Sequence, residues 1–94
     1  MSAYGAKKTL RGMNFVCLAP QARTVTLVGD FNQWNATAHP MKRMPDGAWL
    51  LLVELPHGHH RYGFLVDGNL TLDPRAQGIT RNDRNERVSL LPVS

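Results

Sequence analysis

The stretch HRYGFLVDGNLTLDP, residues 60 to 74, alternates His60, Tyr62, Phe64 and Val66 with Arg61, Gly63, Leu65 and Asp67. Successive side chains of a strand leave opposite faces, so a period of two marks a half-buried strand. Asp67-Gly68, extended to Asn69, supplies the residue types that a tight hairpin turn demands. Leu70 to Leu72 is therefore expected to pair back antiparallel until Asp73-Pro74 ends it.

Upstream, Ala48 to Val53 is the densest apolar run, closed by Leu55-Pro56. Periodicity alone does not separate strand from helix there. Its length, the turn residues at both ends and the Trp49, Leu51, Val53 alternation favour a strand with that face buried, and Trp49 is read as core. Met13, Phe15 and Cys17 alternate with Asn14, Val16 and Leu18 until Ala19-Pro20 stops the pattern. Val25 and Leu27 repeat it up to Gly29. Pro40 and the Pro45-Asp46-Gly47 turn leave Met41 to Met44 as at most a short edge strand. Residues 75–86 are polar and turn-rich and read as a long loop, and Val88 to Val93 reads as a last strand. No segment carries a sustained helical stripe. About seven short antiparallel strands with these turn spacings predict an all-β, immunoglobulin-like β-sandwich. Residues 1–11, without a sustained period, read as a flexible lead-in to a single module over 12–94.

A chain of 94 residues supports one core and leaves little room for a buried multi-residue active site. An apolar fraction of 43% and a charged fraction of 19% are ordinary globular values. No apolar run reaches bilayer length, and the first residues lack the apolar stretch of a secretory signal, so no membrane role and a cytoplasmic address are expected. The single cysteine, Cys17, has no partner for an internal disulfide and reads as a small core hydrophobe. Net charge is +4, and Lys7, Lys8, Arg11 and Arg23 precede the first acid, Asp30. These cations are scattered, with no basic and aromatic alternation, so nucleic acid is not expected as a partner.

Catalytic signatures are missing: no G-x-S-x-G, H-E-x-x-H or Walker loop and no facing pair of carboxylates, so no catalytic residue is assigned. His57, His59 and His60 raise a metal question, yet three histidines around one tight turn seldom converge on one ion. Turn packing with a half-buried His60 is the preferred reading, and neither metal nor cofactor is assigned. The remaining anomaly is Trp34, a large ring in the polar loop GDFNQWN, residues 29–35. It is either folded over the end of the sandwich or held out as a flat apolar plane of the size of a pyranose face.

The ordered set VTLVGDFNQWN, PDGAWLLLVELPHGHHRYGFLVDGNLTLDP and NERVSLLPV resembles the glycogen-binding carbohydrate-binding modules. These are the early-set domains at the front of glycogen branching and debranching enzymes and in the beta subunit of AMP-activated protein kinase. The resemblance runs from about Phe15 to Val93. It implies a β-sandwich whose ligand is an α-1,4-linked glucan, bound in members resembling the kinase subunit through two tryptophans, a lysine and a polar loop before the last strand. Trp34 matches the first tryptophan. Leu70 stands where the second would follow the D-G turn, and Gly63 stands at the lysine. The polar loop corresponds to roughly Asn82 to Ser89, with Arg87-Val88-Ser89 replacing an asparagine pair.

The expected carbohydrate-binding set is accordingly Trp34, Arg61, Asn69, Leu70 and Asn85. Arg61 lies two residues before Gly63, on the same outward strand face, where its guanidinium would donate to hydroxyls in the lysine's place. The partner expected from the resemblance is an α-glucan polysaccharide or maltooligosaccharide. Because the sequence stops at Ser94, an enzyme or regulatory protein of glycogen metabolism that used the module is expected to be a separate chain. The alternative is a protein-protein interaction module on the same fold that has lost glycan binding, with Leu70 and the terminal strands forming an apolar patch.

Overall fold

The computed structural model describes residues 9–94. Its strands are β1 (Leu10–Leu18), β2 (Val25–Gly29), β3 (Lys42–Arg43), β4 (Ala48–Pro56), β5 (Gly58–Val66), β6 (Asn69–Thr71), β7 (Gly78–Arg81) and β8 (Arg87–Val93). A single 3-10 turn, Asp30–Asn32, follows β2. One sheet has the order β1-β4-β3, the other β2-β5-β8-β7 with β6 also on β5, and every pairing is antiparallel. The two sheets enclose one core, as in an immunoglobulin-like sandwich.

β5 organises the larger sheet. Tyr62 pairs with Gly29 on one side and Ser89 on the other, and Phe64 with Leu27 and Thr71. β8 and β6 therefore follow one another along the edge of β5 opposite β2. Asp67 (φ 49°) and Gly68 (φ 85°) close the β5–β6 hairpin between paired Val66 and Asn69, the geometry of a type I′ turn. In the other sheet, Cys17 faces Trp49 and Phe15 faces Leu51, so the alternation read from the sequence is the alternation that buries the core.

Phe15, Cys17, Val25, Leu27, Trp49, Leu55, Tyr62, Phe64 and Val93 are buried together. Tyr62 packs edge-on against Phe15, with centroids 5.1 Å apart, and against Phe64 at 6.0 Å. The Trp49 indole N–H donates to the Ala19 carbonyl at 2.9 Å, so the ring is buried without losing its one polar partner. Burial pushes the Cys17 thiol up, with the Asp73 charge adding to it, which leaves a packed and unreactive sulfur. The Tyr62 hydroxyl donates to Asp73 Oδ2 at 2.6 Å, and Asp73 N–H donates to the fully buried Ser89 Oγ at 2.9 Å. Burial first, and then this bond and charge, raise the Tyr62 phenol above its ordinary value.

Two differences from the sequence reading stand out. β1 begins at Leu10, two residues before the expected start at Gly12, and pairs there with Pro56. Residues 1–8, most of the expected lead-in, lie outside the described residues. Within the stretch read as a long loop, Gly78–Arg81 forms β7 and pairs with β8 from Gly78↔Leu90 to Arg81↔Arg87. Its burial alternates only between half-buried and exposed, and Ile79 is 57% exposed. An edge strand that buries so little carries almost no hydrophobic alternation for a sequence pattern to report.

Asp67 fastens the hairpin to the start of β2. Its Oδ1 accepts the main-chain N–H of Arg23 at 2.8 Å and of Thr24 at 2.9 Å, and its own N–H donates to the Thr24 carbonyl. The Thr24 bond, then the Arg23 bond and charge, hold its carboxyl below the ordinary value. A carboxylate with a depressed folded value stabilises the fold above its unfolded value and loses that contribution as pH falls through the folded one. The urea midpoint is therefore expected to drop as pH is lowered below about 4, and Asp67→Asn is expected to flatten that part of the profile.

Candidate functional site

The loop after β2 is built around two buried residues, Gly29 and Asn32. A Cβ added at Gly29 would lie 2.5 Å from the Phe31 ring and 2.7 Å from the Arg61 carbonyl oxygen, so only glycine lets the chain pass this close to β5. Asn32, 7% exposed, accepts the Gly29 N–H at 3.0 Å through Oδ1. Its Nδ2 donates to the Leu27 carbonyl at 3.1 Å and to His39 Nδ1 at 2.8 Å, which fixes that imidazole as the tautomer protonated on Nε2. Phe31 packs between Phe15, His39 and His60. Asp30 Oδ2 accepts the Arg61 N–H at 3.0 Å. Held at these points, the chain turns through two consecutive left-handed residues, Gln33 and Trp34, both at φ 56°, and the Trp34 N–H donates back to the Gly29 carbonyl at 2.9 Å.

The turn delivers the Trp34 ring, half-buried, to the outer face of the larger sheet. There it lines a cleft of about 610 Å³. Val28, Leu65 and Leu70 form an apolar floor; Gln33, Trp34 and Ala36 stand on one wall, and Asn82, Asp83, Arg84 and Glu86 on the other. The second wall is the β7–β8 hairpin. Asn85 N–H donates to the Asn82 carbonyl at 2.9 Å and Asn82 N–H to the Glu86 carbonyl at 3.0 Å, with Asn85 left-handed at φ 63°, a three-residue loop closed by a bulge. Asn82 Oδ1 also accepts the N–H groups of Arg84 and Glu86.

Of the five residues singled out in the sequence, Trp34, Asn69 and Leu70 line this one cleft. Arg61 and Asn85 do not. Arg61 is on the outward face, paired with Leu90, but its guanidinium is occupied: Nη1 donates to the Arg81 carbonyl at 3.1 Å, and it lies 3.7 Å from both Asp30 and Asp83. Asn85 serves the hairpin, its carbonyl accepting Arg81 Nη1 at 2.7 Å. Gln33, Asn82, Asp83, Arg84 and Glu86 were not singled out individually. For residues 82–86 the signal was the polar N-D-R-N-E run, which the resemblance matched to the polar loop before the last strand; Gln33 had only its place beside Trp34, and neither stretch contains the pairing that sets a loop's direction.

Gly63 and Leu70 pack against each other. A Cβ at Gly63 would lie 2.8 Å from Leu70 Cδ1, so the leucine occupies the space above the glycine. Elsewhere, His57 and His59 are exposed, and His60 is half-buried with Nε2 2.9 Å from the Pro56 carbonyl. Among the described residues no group of three or more His, Cys, Asp or Glu side chains is placed to hold a metal ion. None of the described helical segments is long and apolar enough to cross a membrane.

The sandwich and the cleft on its outer face define an early-set β-sandwich module. The chain belongs to the family Carbohydrate-binding module 48 (Isoamylase N-terminal domain), whose model matches residues 3–85. It is similar to the 1,4-alpha-glucan branching enzyme GlgB of Bradyrhizobium sp. (strain ORS 278), 46% identical over 57 residues that make up 61% of this chain and 8% of the enzyme. It is also similar to the 1,4-alpha-glucan-branching enzyme of Dictyostelium discoideum, 40% identical over 80 residues, 77% of this chain and 12% of the enzyme. The chain thus spans only a small fraction, 8% and 12%, of the length of these relatives.

Two outcomes follow from the packing. Asn32→Ala strands the Gly29 N–H and the Leu27 carbonyl and is expected to cost about 3 kcal/mol, with Trp34 emission shifting to the red as its loop loosens. Gly63→Lys is expected to cost about 1–3 kcal/mol by overpacking against Leu70. Combining it with Leu70→Ala should recover at least about 1 kcal/mol of that cost in a double-mutant cycle of urea midpoints.

Proposed function

We propose that the chain is a non-catalytic module that binds α-1,4-linked glucan of the glycogen or starch type weakly, in the cleft beside Trp34. The observation that carries this reading is a half-buried indole lining a cleft with an apolar floor and a polar wall. Sugar rings present an apolar face and a hydroxyl edge, so they are held by stacking on one surface and hydrogen bonding on another. Trp34 offers the stacking plane and Leu70 an apolar contact without a π-face. Asn69 and the side chains of the 82–86 hairpin offer donors and acceptors. The printed names of the relatives, 1,4-alpha-glucan branching enzymes, support the choice of glucan.

The module is read as a targeting or regulatory element for glycogen-metabolising enzymes or regulatory proteins in the cytoplasm. The buried, unpaired Cys17 thiol is compatible with that reducing compartment. A second reading, a protein-interaction module on the same fold, draws on a different observation. Leu18 and Leu52 on the outer face of the smaller sheet are 70% and 61% exposed.

Titration with maltoheptaose and with β-cyclodextrin, followed by tryptophan fluorescence, separates the two. Trp49 is sealed in the core, so a saturable change reports Trp34. Trp34→Ala is expected to weaken binding by about five- to tenfold, the worth of one aromatic contact, while leaving the core intact. No response at about 10 mM sugar, a concentration that detects even millimolar affinity, overturns the glucan reading and leaves the interaction module.

A further inference from the structure

Arg61 stands on β5 between the two loops that face each other across the cleft, and it is absent from the cleft's lining. Its main-chain N–H donates to Asp30 Oδ2 at 3.0 Å, and its Nε lies 3.7 Å from the same oxygen. Asp30 is the first residue of the turn that ends at Trp34. From the other end of the same side chain, Nη1 donates to the Arg81 carbonyl at 3.1 Å and lies 3.7 Å from Asp83 Oδ1. Arg81 and Asp83 lead into the opposite wall, and Arg81 in turn donates to Asn85 within it. One guanidinium therefore joins both walls.

We infer that Arg61 is a positioning residue that sets the separation of the Trp34 loop and the 82–86 hairpin without touching sugar, and so makes the binding of an uncharged glucan sensitive to ionic strength. The inference rests on reading the cleft as the glucan site. The argument turns on which links a side-chain change removes. Any replacement other than proline keeps the main-chain N–H that bonds Asp30, so the Trp34 loop remains anchored to β5. What is lost is the reach to Arg81 and Asp83, the ties of the hairpin wall to β5 that cross the cleft's end. Asp83 is 94% exposed and Arg61 34% exposed, so the ionic part of this strap is screened by salt. A glucan carries no charge that salt could screen. A salt dependence of its affinity must therefore come from the protein. Because a neutral ligand can shift the walls only by its preference for the strapped arrangement, the effect is bounded by what the strap is worth.

The test compares the wild-type chain with Arg61→Met, which keeps the aliphatic stem, and Asp83→Asn, which keeps the Arg81 bond. Maltoheptaose is titrated between about 20 mM and about 500 mM NaCl, a range over which the screening length shrinks several-fold. Wild-type affinity is expected to fall about two- to threefold with salt, the scale of an exposed ion pair. Arg61→Met is expected to bind about fivefold more weakly at low salt and to lose the dependence, while still unfolding in a single cooperative transition. Asp83→Asn, whatever its own effect on affinity as a wall residue, should lose the dependence. Wild-type affinity at every salt concentration in Arg61→Met overturns the inference. If the wild-type chain binds no maltoheptaose, the glucan reading fails, and the strap is judged without ligand. Faster amide exchange over Asp83–Glu86 and a shifted Trp34 indole N–H resonance in Arg61→Met support it. Unchanged exchange and shift overturn it.

Discussion

Period-two alternation along β5 imposes one constraint on everything around it: what one face of the strand buries, the other face must leave free for a different use. Tyr62 and Phe64 point into the sandwich and bring Phe15, Leu27 and the Asp73–Ser89 bonds with them. Arg61, Gly63 and Leu65 point the other way and become the strap, the gap and the floor of the cleft. A slip of one residue in this strand's register would exchange the two sets, placing a guanidinium in the core and two aromatic rings on the surface. The hairpin turn at Asp67-Gly68, tied by Asp67 to Arg23 and Thr24, guards against such a slip from the strand's end.

The Gly-Asp-Phe-Asn run before Trp34 has a division of labour that its position beside the cleft disguises. Gly29 permits close approach, Asp30 takes a main-chain N–H from β5, Phe31 seals the end of the core, and Asn32 bonds three partners while nearly sealed from water. None of the four lines the cleft. They are scaffold, and the residues they present, Gln33, Trp34 and Ala36, are the surface. The Gly63 and Leu70 pair shows the same economy on the floor. A small residue and a branched one fill a volume where a longer side chain at 63 would collide.

Much of this was legible in the chain. The β5–β6 hairpin follows from Asp67-Gly68 between alternating runs, and Phe15, Cys17, Leu27, Trp49 and Phe64 fall on the buried faces that alternation assigns them. The resemblance singled out Trp34 and Leu70, and the neighbouring turn added Asn69; the three line one cleft. β7 escaped because a strand at a sheet edge is held by main-chain bonds to β8, and those leave no imprint on side-chain type. Val28 and Val88 escaped for a related reason: both are buried on the outer face, outside the core cluster, because of where distant segments fold. Spacing placed Arg61 on the correct face. Its partners Asp30, Arg81 and Asp83 lie 31, 20 and 22 positions away in sequence, and no local pattern could pair them.

Gln33 and Trp34 both occupy left-handed backbone that branched or bulky residues avoid, at roughly 1–2 kcal/mol each. That cost is met when the protein folds, through the Asn32 and Gly29 bonds, and not when a ligand arrives. The indole is thus set in its orientation beforehand. On the proposed reading, a guest meeting it would forfeit little loop entropy, the cost that most limits a shallow surface with a single aromatic plane.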